Sequence, residues 1–599
     1  MAKQSTKTPT PTYGAATIPL TDIRPFLSAV MLTGTLSKRK LAEALIGEAA
    51  PRVRTVGNVQ RKVLDGPSIN KRGDFFIASI IYEETTVPAW APTLTYRDLS
   101  NHFAWIVVRE HRVALIASDS SMRESMVNAL TSAAVIDRSD AFDAFVGSKA
   151  RAVWLNGTHA QTDVKPEAKM LMGTALEEAL DPLSDHSYHL SALRSQPVIP
   201  ALRSKTLGVA LSSGRVWSVR AQSLADLLAD VGALFDQLDN PAPRSTKYDF
   251  LSQPTAGIAG VAQAYAVSVM PTPLLDPSGM LATPVAIAQA QAWAYESSYE
   301  VHPGAGSDFT VDVTYRGTNL GTLAVQPIDT GTRINLDSAG WQPANPALTA
   351  LRAEAEAYLL DENQVKVHYD SGHTISGGQC FRGGFVDQLV DWKWQDFSGF
   401  TIEDEKPAAN PLAAAIGLPS DSSLFGFVVR SAYSHGWLTC DDGGGEVGDF
   451  VHLDPTAKKV TLIHAKAAST IDPARGFSVS DYDLVIAQSI RNIRHLDSAN
   501  LLKALNKSAG YAIASATWHN GVRATRAQFI AEVAKLGASF SKELVILQPQ
   551  LTKAMHTYCL SAAVTPSVDL RFKQVNSLVQ GAAMAAFGVG ATFVAYACT

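Results

Sequence analysis

The sequence predicts a multidomain protein of the mixed α/β (α+β) class. Three observations lead there. The chain has 599 residues, too many for one hydrophobic core, so three or four domains are expected. Its hydrophobic content of 46% and charged content of 18% are those of an ordinary folded protein. Helical and period-two apolar patterns alternate along its length.

Residues 1–18 open with MAKQSTKTPTPTYG, which is polar and rich in Thr and Pro. They lack the apolar core of a signal peptide and read as a disordered lead-in. Residues 19–145 read as an α/β domain, with a helix over Leu41–Ile46, strands over Phe75–Tyr82 and Trp105–Ala117, and a helix over Met122–Ala134. A second α/β region, 146–245, carries a predicted helix over Pro166–Leu180, where Pro166 suits a first turn. It continues with strand–turn–strand over Gly208–Val219 and a helix over Ser223–Leu238 behind a serine cap. NPAPRSTKYD (240–249) reads as a linker. A β-rich region, 246–340, has an alanine-rich helix over Pro284–Tyr295 and a hairpin in FTVDVTYRGTNLGTLAVQPI. A helix over Pro346–Leu360 leads into the last region, 341–599.

The net charge of −5 argues against a wholly basic nucleic-acid coat and leaves room for a local basic groove. Between residues 38 and 72 stand Lys38, Arg39, Lys40, Arg52, Arg54, Arg61, Lys62, Lys71 and Arg72, against three acids. That run suits a phosphate backbone, or equally a solvated face, since no aromatic residues interleave it for stacking. Cys380, Cys440, Cys559 and Cys598 are scattered without a CxxC pair, which fits a reducing cytoplasm better than a disulfide framework. The stretch Val579–Cys598 is uncharged, but its glycines, Gln580 and scarce Leu and Ile favour a buried helix and strand (Thr592–Cys598) over a membrane span.

The segment that carries chemistry is DDGGGEVGDFVHLDPTAKKVTLIHAK, residues 441–466. It reads as two strands joined by a polar turn. Val447, Asp449 and Val451 alternate on the first, and Val460, Leu462, His464 and Lys466 share a face of the second. A symmetric turn at 457/458 would set Asp449 across from Lys466. Asp449 can hold a divalent cation, with Glu446 and the Asp441/Asp442 pair as further oxygen donors. Lys466 can orient water and stabilise charge. The bland alternative is a cross-strand ion pair of small energetic weight.

These residues resemble the PD-(D/E)xK nuclease superfamily, most closely its Mrr-like restriction branch. There, one strand carries the Asp, the next carries Glu/Gln-x-Lys, and a helix follows with a Gln facing the site. Here GEVGDF holds Asp449, HAK holds His464 and Lys466, and DYDLVIAQSIRNIRHLD holds Gln488. The departure is His464, where the family has Glu or Gln. The resemblance covers residues 440–497 and implies a restriction-endonuclease-like mixed sheet flanked by helices, continued by a helix over Arg523–Leu536 and a strand over Glu543–Leu547. It implies a DNA endonuclease using Mg2+ or Mn2+. Asp449, Glu446 and His464 would be metal ligands, Lys466 would stabilise charge, and Gln488 would support the site. It further implies a role as effector of a bacterial restriction or antiphage defence system, with DNA and a separate helicase, ATPase or other defence subunit as partners. Oligomeric state stays open. The other reading is an inactive nuclease-fold scaffold or DNA-binding subunit that lost activity through His464.

Other constellations point to less. His368, Asp370 and His373 in KVHYDSGHTISGGQCF offer metal-ligand chemistry, but a strand ending in an Asp/Gly turn explains them as well. Trp392, Trp394, Phe397 and Phe400 read as packing before base stacking. Glu403 and Glu405 in IEDEKP read as a solvated acidic loop. No GxxxxGK[ST], GxSxG or HExxH pattern occurs, so the chain has no motor of its own.

Overall fold

The structure is a computed structural model that describes residues 14–599, except 57–58, 89–94, 161–164, 203–204, 270–290, 329–332, 362–363, 386, 444–445 and 538. Most of the predicted lead-in, the start of the alanine-rich helix (284–290), and Gly444 and Gly445 therefore lie outside the described residues. Thr17 and Ile18, placed in the lead-in by sequence, are anchored. Their backbone N–H groups donate to the Asp65 carboxylate at 3.1 and 2.9 Å.

One eleven-stranded sheet spans both of the first two predicted regions. Its strands are β1 (Phe26–Gly34), β2 (Gln60–Arg72), β3 (Phe75–Thr86), β4 (Asp98–Arg109), β5 (Arg112–Ala117), β6 (Ala133–Val135), β7 (Ser148–Gly157), β8 (Ala168–Met172), β9 (Tyr188–Gln196), β10 (Leu207–Ala210) and β11 (Arg215–Arg220). The order is β2-β3-β4-β5-β1-β11-β10-β9-β7-β8, with β6 also on β1. FAWIVV in β4 is continuously apolar because both faces are covered. Trp105 and Val107 enter one core with Val231 and Phe235 of α4 (Leu224–Asp239). Ile106 and Val108 enter another with Leu41 and Leu45 of α1 (Lys38–Ala49) and Met122 of α2 (Ser120–Val127).

Two predicted helices fail here. The segment 166–180 contains β8, which pairs antiparallel with β7 at a sheet edge, so tertiary pairing overrides its Met/Leu spacing. The helix over 122–134 stops at Val127, and β6 claims Ala133–Val135 by pairing with β1.

The middle of the chain forms two smaller antiparallel sheets. The first includes β12 (Gln253–Pro254) and β13 (Ala264–Val269). The second is β14 (Ser297–Pro303), β15 (Phe309–Tyr315), β16 (Thr318–Ile328) and β17 (Arg333–Gln342), and it contains the predicted hairpin. A helix, α5 (Thr349–Leu360), leads to β18 (Val365–Tyr369), β19 (His373–Ser376) and β20 (Gln379–Arg382), which complete the first.

The C-terminal sheet has the order β21-β28-β27-β24-β23-β22-β25-β26. Its strands are β21 (Trp392–Gln395), β22 (Trp437–Cys440), β23 (Phe450–Asp454), β24 (Lys459–Ala465), β25 (Thr517–His519), β26 (Val522–Arg523), β27 (Ser541–Thr552) and β28 (Ala591–Cys598). β22, β23 and β24 form an antiparallel meander, then β24, β27, β28 and β21 run parallel. Parallel neighbours need crossovers. α6 (Ser480–Asn492), α7 (Ser498–Lys507) and α8 (Arg526–Val533) lie between β24 and β27, and α9 (Pro566–Gly588) lies between β27 and β28. Val451, Leu462 and Leu544 pack under Leu501, Leu505 and Phe529. Phe450, Ile463 and Val545 pack on the opposite face against Leu424–Val429. No helix among the described residues is long and apolar enough to cross a membrane.

Three of the buried histidines, His368, His452 and His464, have no room for charge. Burial pushes His368 and His464 down to about 3 and His452 to about 4, from 6.5. The unfolded chain takes up protons at these positions below 6.5, and the folded chain does not until near 4. Stability therefore falls with acid across that window, by up to about 1.4 kcal/mol per pH unit for each histidine. Asp449, raised by burial, works in the opposite sense. The expected result is a falling urea midpoint between pH 6.5 and 4, with a shallower fall in His452→Gln. An unchanged midpoint would show that these rings protonate freely in the fold.

Candidate metal centre

The hairpin β23–β24 pairs Asp454 with Lys459, Leu453 with Val460, Val451 with Leu462 and Phe450 with Ile463. Continued one step, this register sets Asp449 opposite His464, not Lys466. The turn lies earlier than a symmetric reading gives. Asp454 accepts from the backbone N–H of Thr456 at 2.9 Å and Ala457 at 3.0 Å. Lys458 then closes the loop in the left-handed region, with φ 49°.

Asp449 immediately precedes β23 and is 5% exposed. Its carboxylate crosses to the end of β24, where it accepts from the Ala465 N–H at 2.7 Å. Asp442 and Glu446 join it. One carboxylate oxygen from each of Asp442, Glu446 and Asp449 lies within 4.8 Å of the others. Burial pushes the Asp449 carboxyl well above its ordinary range, and the charge of Glu446 adds to that. Burial likewise raises Glu446, against the Gly443 backbone, which donates to it at 3.1 Å.

The loop that supplies Asp442 and Glu446 is pinned from below. Asp441, buried, accepts from the Val447 N–H at 3.0 Å and from Ser508 Oγ at 2.6 Å. It also forms a buried ion pair with Arg526 of α8. Arg526 donates further to Thr439 Oγ1 at 2.6 Å and the Cys440 carbonyl at 3.1 Å. Asp441 is thus a structural anchor, and only Asp442 of the pair reaches the trio.

Two residues that sequence reading left as a solvated loop belong to the site. Glu405 sits 3.0 Å from Lys466 Nζ and 3.3 Å from Lys406 Nζ. Lys406 donates to Asp442 at 2.8 Å. Burial would lower Lys406, but the bond to Asp442 and the charges of Glu405 and Asp449 outweigh it and hold it raised. The loop is fixed here because Ala468, just beyond Lys466, donates its N–H to the Ile402 carbonyl at 2.8 Å. No local sequence signal marks that contact.

Lys466 follows β24, with its N–H bonded to the Leu547 carbonyl at 3.0 Å and its side chain 40% exposed. His464 is fully buried, and neither ring nitrogen has a hydrogen-bond partner. It stands outside the carboxylate trio. In the trio, Asp442 stands where the sequence reading expects His464. Gln488 is half-buried on α6 and makes no hydrogen bond to the trio. The trio is a set of hard oxygen donors, which suits Mg2+ or Mn2+. Four carboxylates against two ammonium groups leave an excess of negative charge that a divalent cation would offset, and such a cation would favour the charged form of the buried Asp449.

The basic run lies on another sheet. Arg39, Lys40, Arg52, Arg54, Lys62, Lys71 and Arg72 are exposed along α1, the turn after it and the edge strand β2. Lys38 pairs with Glu110 at 2.7 Å, Arg39 with Glu43 at 3.0 Å and Arg61 with Glu84 at 2.7 Å. His368 and His373 flank a tight turn at Gly372 (φ 77°). They bond to Thr374 and Ser371, so the strand-and-turn reading describes them. Trp392 packs on Tyr482 in one core, and Phe397 and Phe400 pack on Phe427 in another. No family model matches the chain, and no curated protein matches it in sequence.

Proposed function

We propose that the chain is a divalent-metal-dependent deoxyribonuclease whose site is the carboxylate trio beside Lys466. The observation that carries this is the convergence of Asp442, Glu446 and Asp449 at the end of the hairpin. The resemblance of residues 440–497 to PD-(D/E)xK nucleases and the antiparallel meander leading through α6 to a parallel strand support the same reading.

In this reading the trio holds Mg2+ or Mn2+, which supplies Lewis acidity toward a scissile phosphate. Lys406 holds Asp442 in place through its bond at 2.8 Å. Lys466, exposed enough to reach a backbone, leaves Glu405 to stabilise charge as the bond breaks. Glu405 then becomes an acceptor able to orient water. The exposed basic face of α1 and β2 would hold DNA through phosphate contacts. By the same resemblance we propose a role as the effector of a bacterial restriction or antiphage system that works with a helicase, ATPase or other defence subunit, and the four free cysteines fit a reducing cytoplasm.

One observation favours the second reading, an inactive nuclease-fold scaffold or DNA-binding subunit: His464 stands where the family has a carboxylate or amide, and it lies outside the trio. The test is cleavage of plasmid and linear DNA with Mg2+, Mn2+ or EDTA, by wild type, Lys466→Ala and Asp449→Ala. Metal-dependent cutting reduced by about 100-fold or more in both variants is expected. Salt-sensitive DNA binding without cutting in any metal would favour the scaffold.

A further inference from the structure

A cavity lies where the three parts of the chain meet. Its enclosed volume is ≈ 50 Å³, opening into a wider mouth, room for a few waters or one tetrahedral oxyanion. Its wall takes His159, Lys165 and Ser187 from the N-terminal sheet's β7–β9 connection, Tyr265 from β13, and Asp483 and Ser577 from α6 and α9.

Three polar groups of this wall, on Lys165, His159 and Ser577, are incompletely partnered. Lys165 makes no ion pair among the described residues, and it donates to Ser187 Oγ at 3.4 Å. Ser187 also links it to His159, whose Nδ1 stands 3.2 Å from the Ser187 carbonyl. A carbonyl only accepts, so Nδ1 carries the proton and Nε2 is a bare acceptor. His159 is 7% exposed, and its Nε2 has no partner; the Ser577 hydroxyl, also buried, has none either. Burial pushes Lys165 down to about 8, and it holds His159 neutral with help from the charge of Lys165. Burial and the charges of Asp483 and Asp370 raise Tyr265, so its hydroxyl stays a donor.

We propose that this junction cavity is a binding site for a small phosphate-bearing molecule. A cation and two hydroxyl donors satisfy phosphate oxygens, as carboxylate oxygens would also be satisfied. The bare Nε2 of His159 decides between them. It needs a donor from the ligand, and a monoprotonated phosphate has a P–OH to give, whereas a carboxylate has none. Phosphate monoesters titrate near pH 6, so that form is available close to neutrality. Because the wall draws on all three parts of the chain, an occupant would tie the N-terminal sheet to the helices that cover the C-terminal one. The inference does not rest on nuclease activity.

The test is calorimetric titration of the full-length protein with inorganic phosphate, a nucleoside monophosphate and the parent nucleoside, at constant ionic strength. Saturable binding of phosphate or the monophosphate is expected, weakened at least about tenfold in Lys165→Met and in His159→Phe. Tighter binding of the monophosphate assigns a phosphate ester, and tighter binding of phosphate assigns the free ion. Lys165→Met removes a partly buried charge and should melt no lower than wild type, which separates lost binding from lost folding. Absence of saturable binding by either phosphate probe, or unchanged affinity in Lys165→Met, would overturn the proposal.

Discussion

Asp449→Asn is expected to abolish metal-dependent cleavage and to raise the melting temperature of the metal-free protein. The two effects share one cause. Asp449 is 5% exposed, and burial with the Glu446 charge raises its carboxyl well above the ordinary range. Without a cation, an ionised Asp449 destabilises the fold at neutral pH. A raised carboxylate contributes stability only below its unfolded pKa, and that contribution is lost as pH rises through the folded one. An amide removes the charge and can still accept from the Ala465 N–H at 2.7 Å. A gain of about 1 kcal/mol is expected, the common trade of stability against activity at a polar site. Cleavage should fall by about 100-fold or more, as when one electrostatic element of an active site is lost. Differential scanning calorimetry in EDTA, beside the plasmid assay, reads both. A variant that melts lower and still cuts would show that Asp449 is a structural carboxylate.

Arg526→Ala should produce the largest loss of stability. Its side chain and that of Asp441 are 6% and 1% exposed. Arg526 also holds Thr439, the Cys440 carbonyl and, at 2.8 Å, Ser508. Removing it leaves the Asp441 carboxylate buried without its counter-ion, at a cost of about 3–5 kcal/mol, a large fraction of what keeps a domain folded. Asp441 also accepts the Val447 N–H, so the loop that presents Asp442 and Glu446 loosens, and cutting falls with it. Urea denaturation of Arg526→Ala, Asp441→Asn and the double variant gives the coupling. The double variant should lose less than the sum of the singles. Simple additivity would mean that the two residues act independently.

The parts of the fold legible in sequence are those that local pattern decides. The hairpin β23–β24 follows from alternation, the helix bearing Gln488 from the family resemblance, and the last turns of the terminal helix with its strand from their uncharged apolar run. The register of the hairpin does not follow. It depends on the Asp454 carboxylate capping Thr456 and Ala457 and on Lys458 adopting a left-handed conformation, which together close the loop two residues sooner than symmetry suggests. Glu405 and Lys406 were unreadable for a different reason. Their place beside Lys466 depends on a backbone contact between Ala468 and Ile402, distant in sequence and set by packing. The segment 166–180 failed because an edge position on β7 outweighs a helical spacing of Leu and Met.

Asp442, Glu446 and Asp449 are proposed to bind one divalent cation together. The most direct measurement is titration of Mn2+ into the metal-free full-length protein, followed by the loss of the free-ion paramagnetic resonance signal, for wild type and Asp449→Asn. One saturable site is expected in wild type, competed by Mg2+, with at least about tenfold weaker binding in Asp449→Asn. Equal binding in the two proteins, or none in wild type, would contradict it.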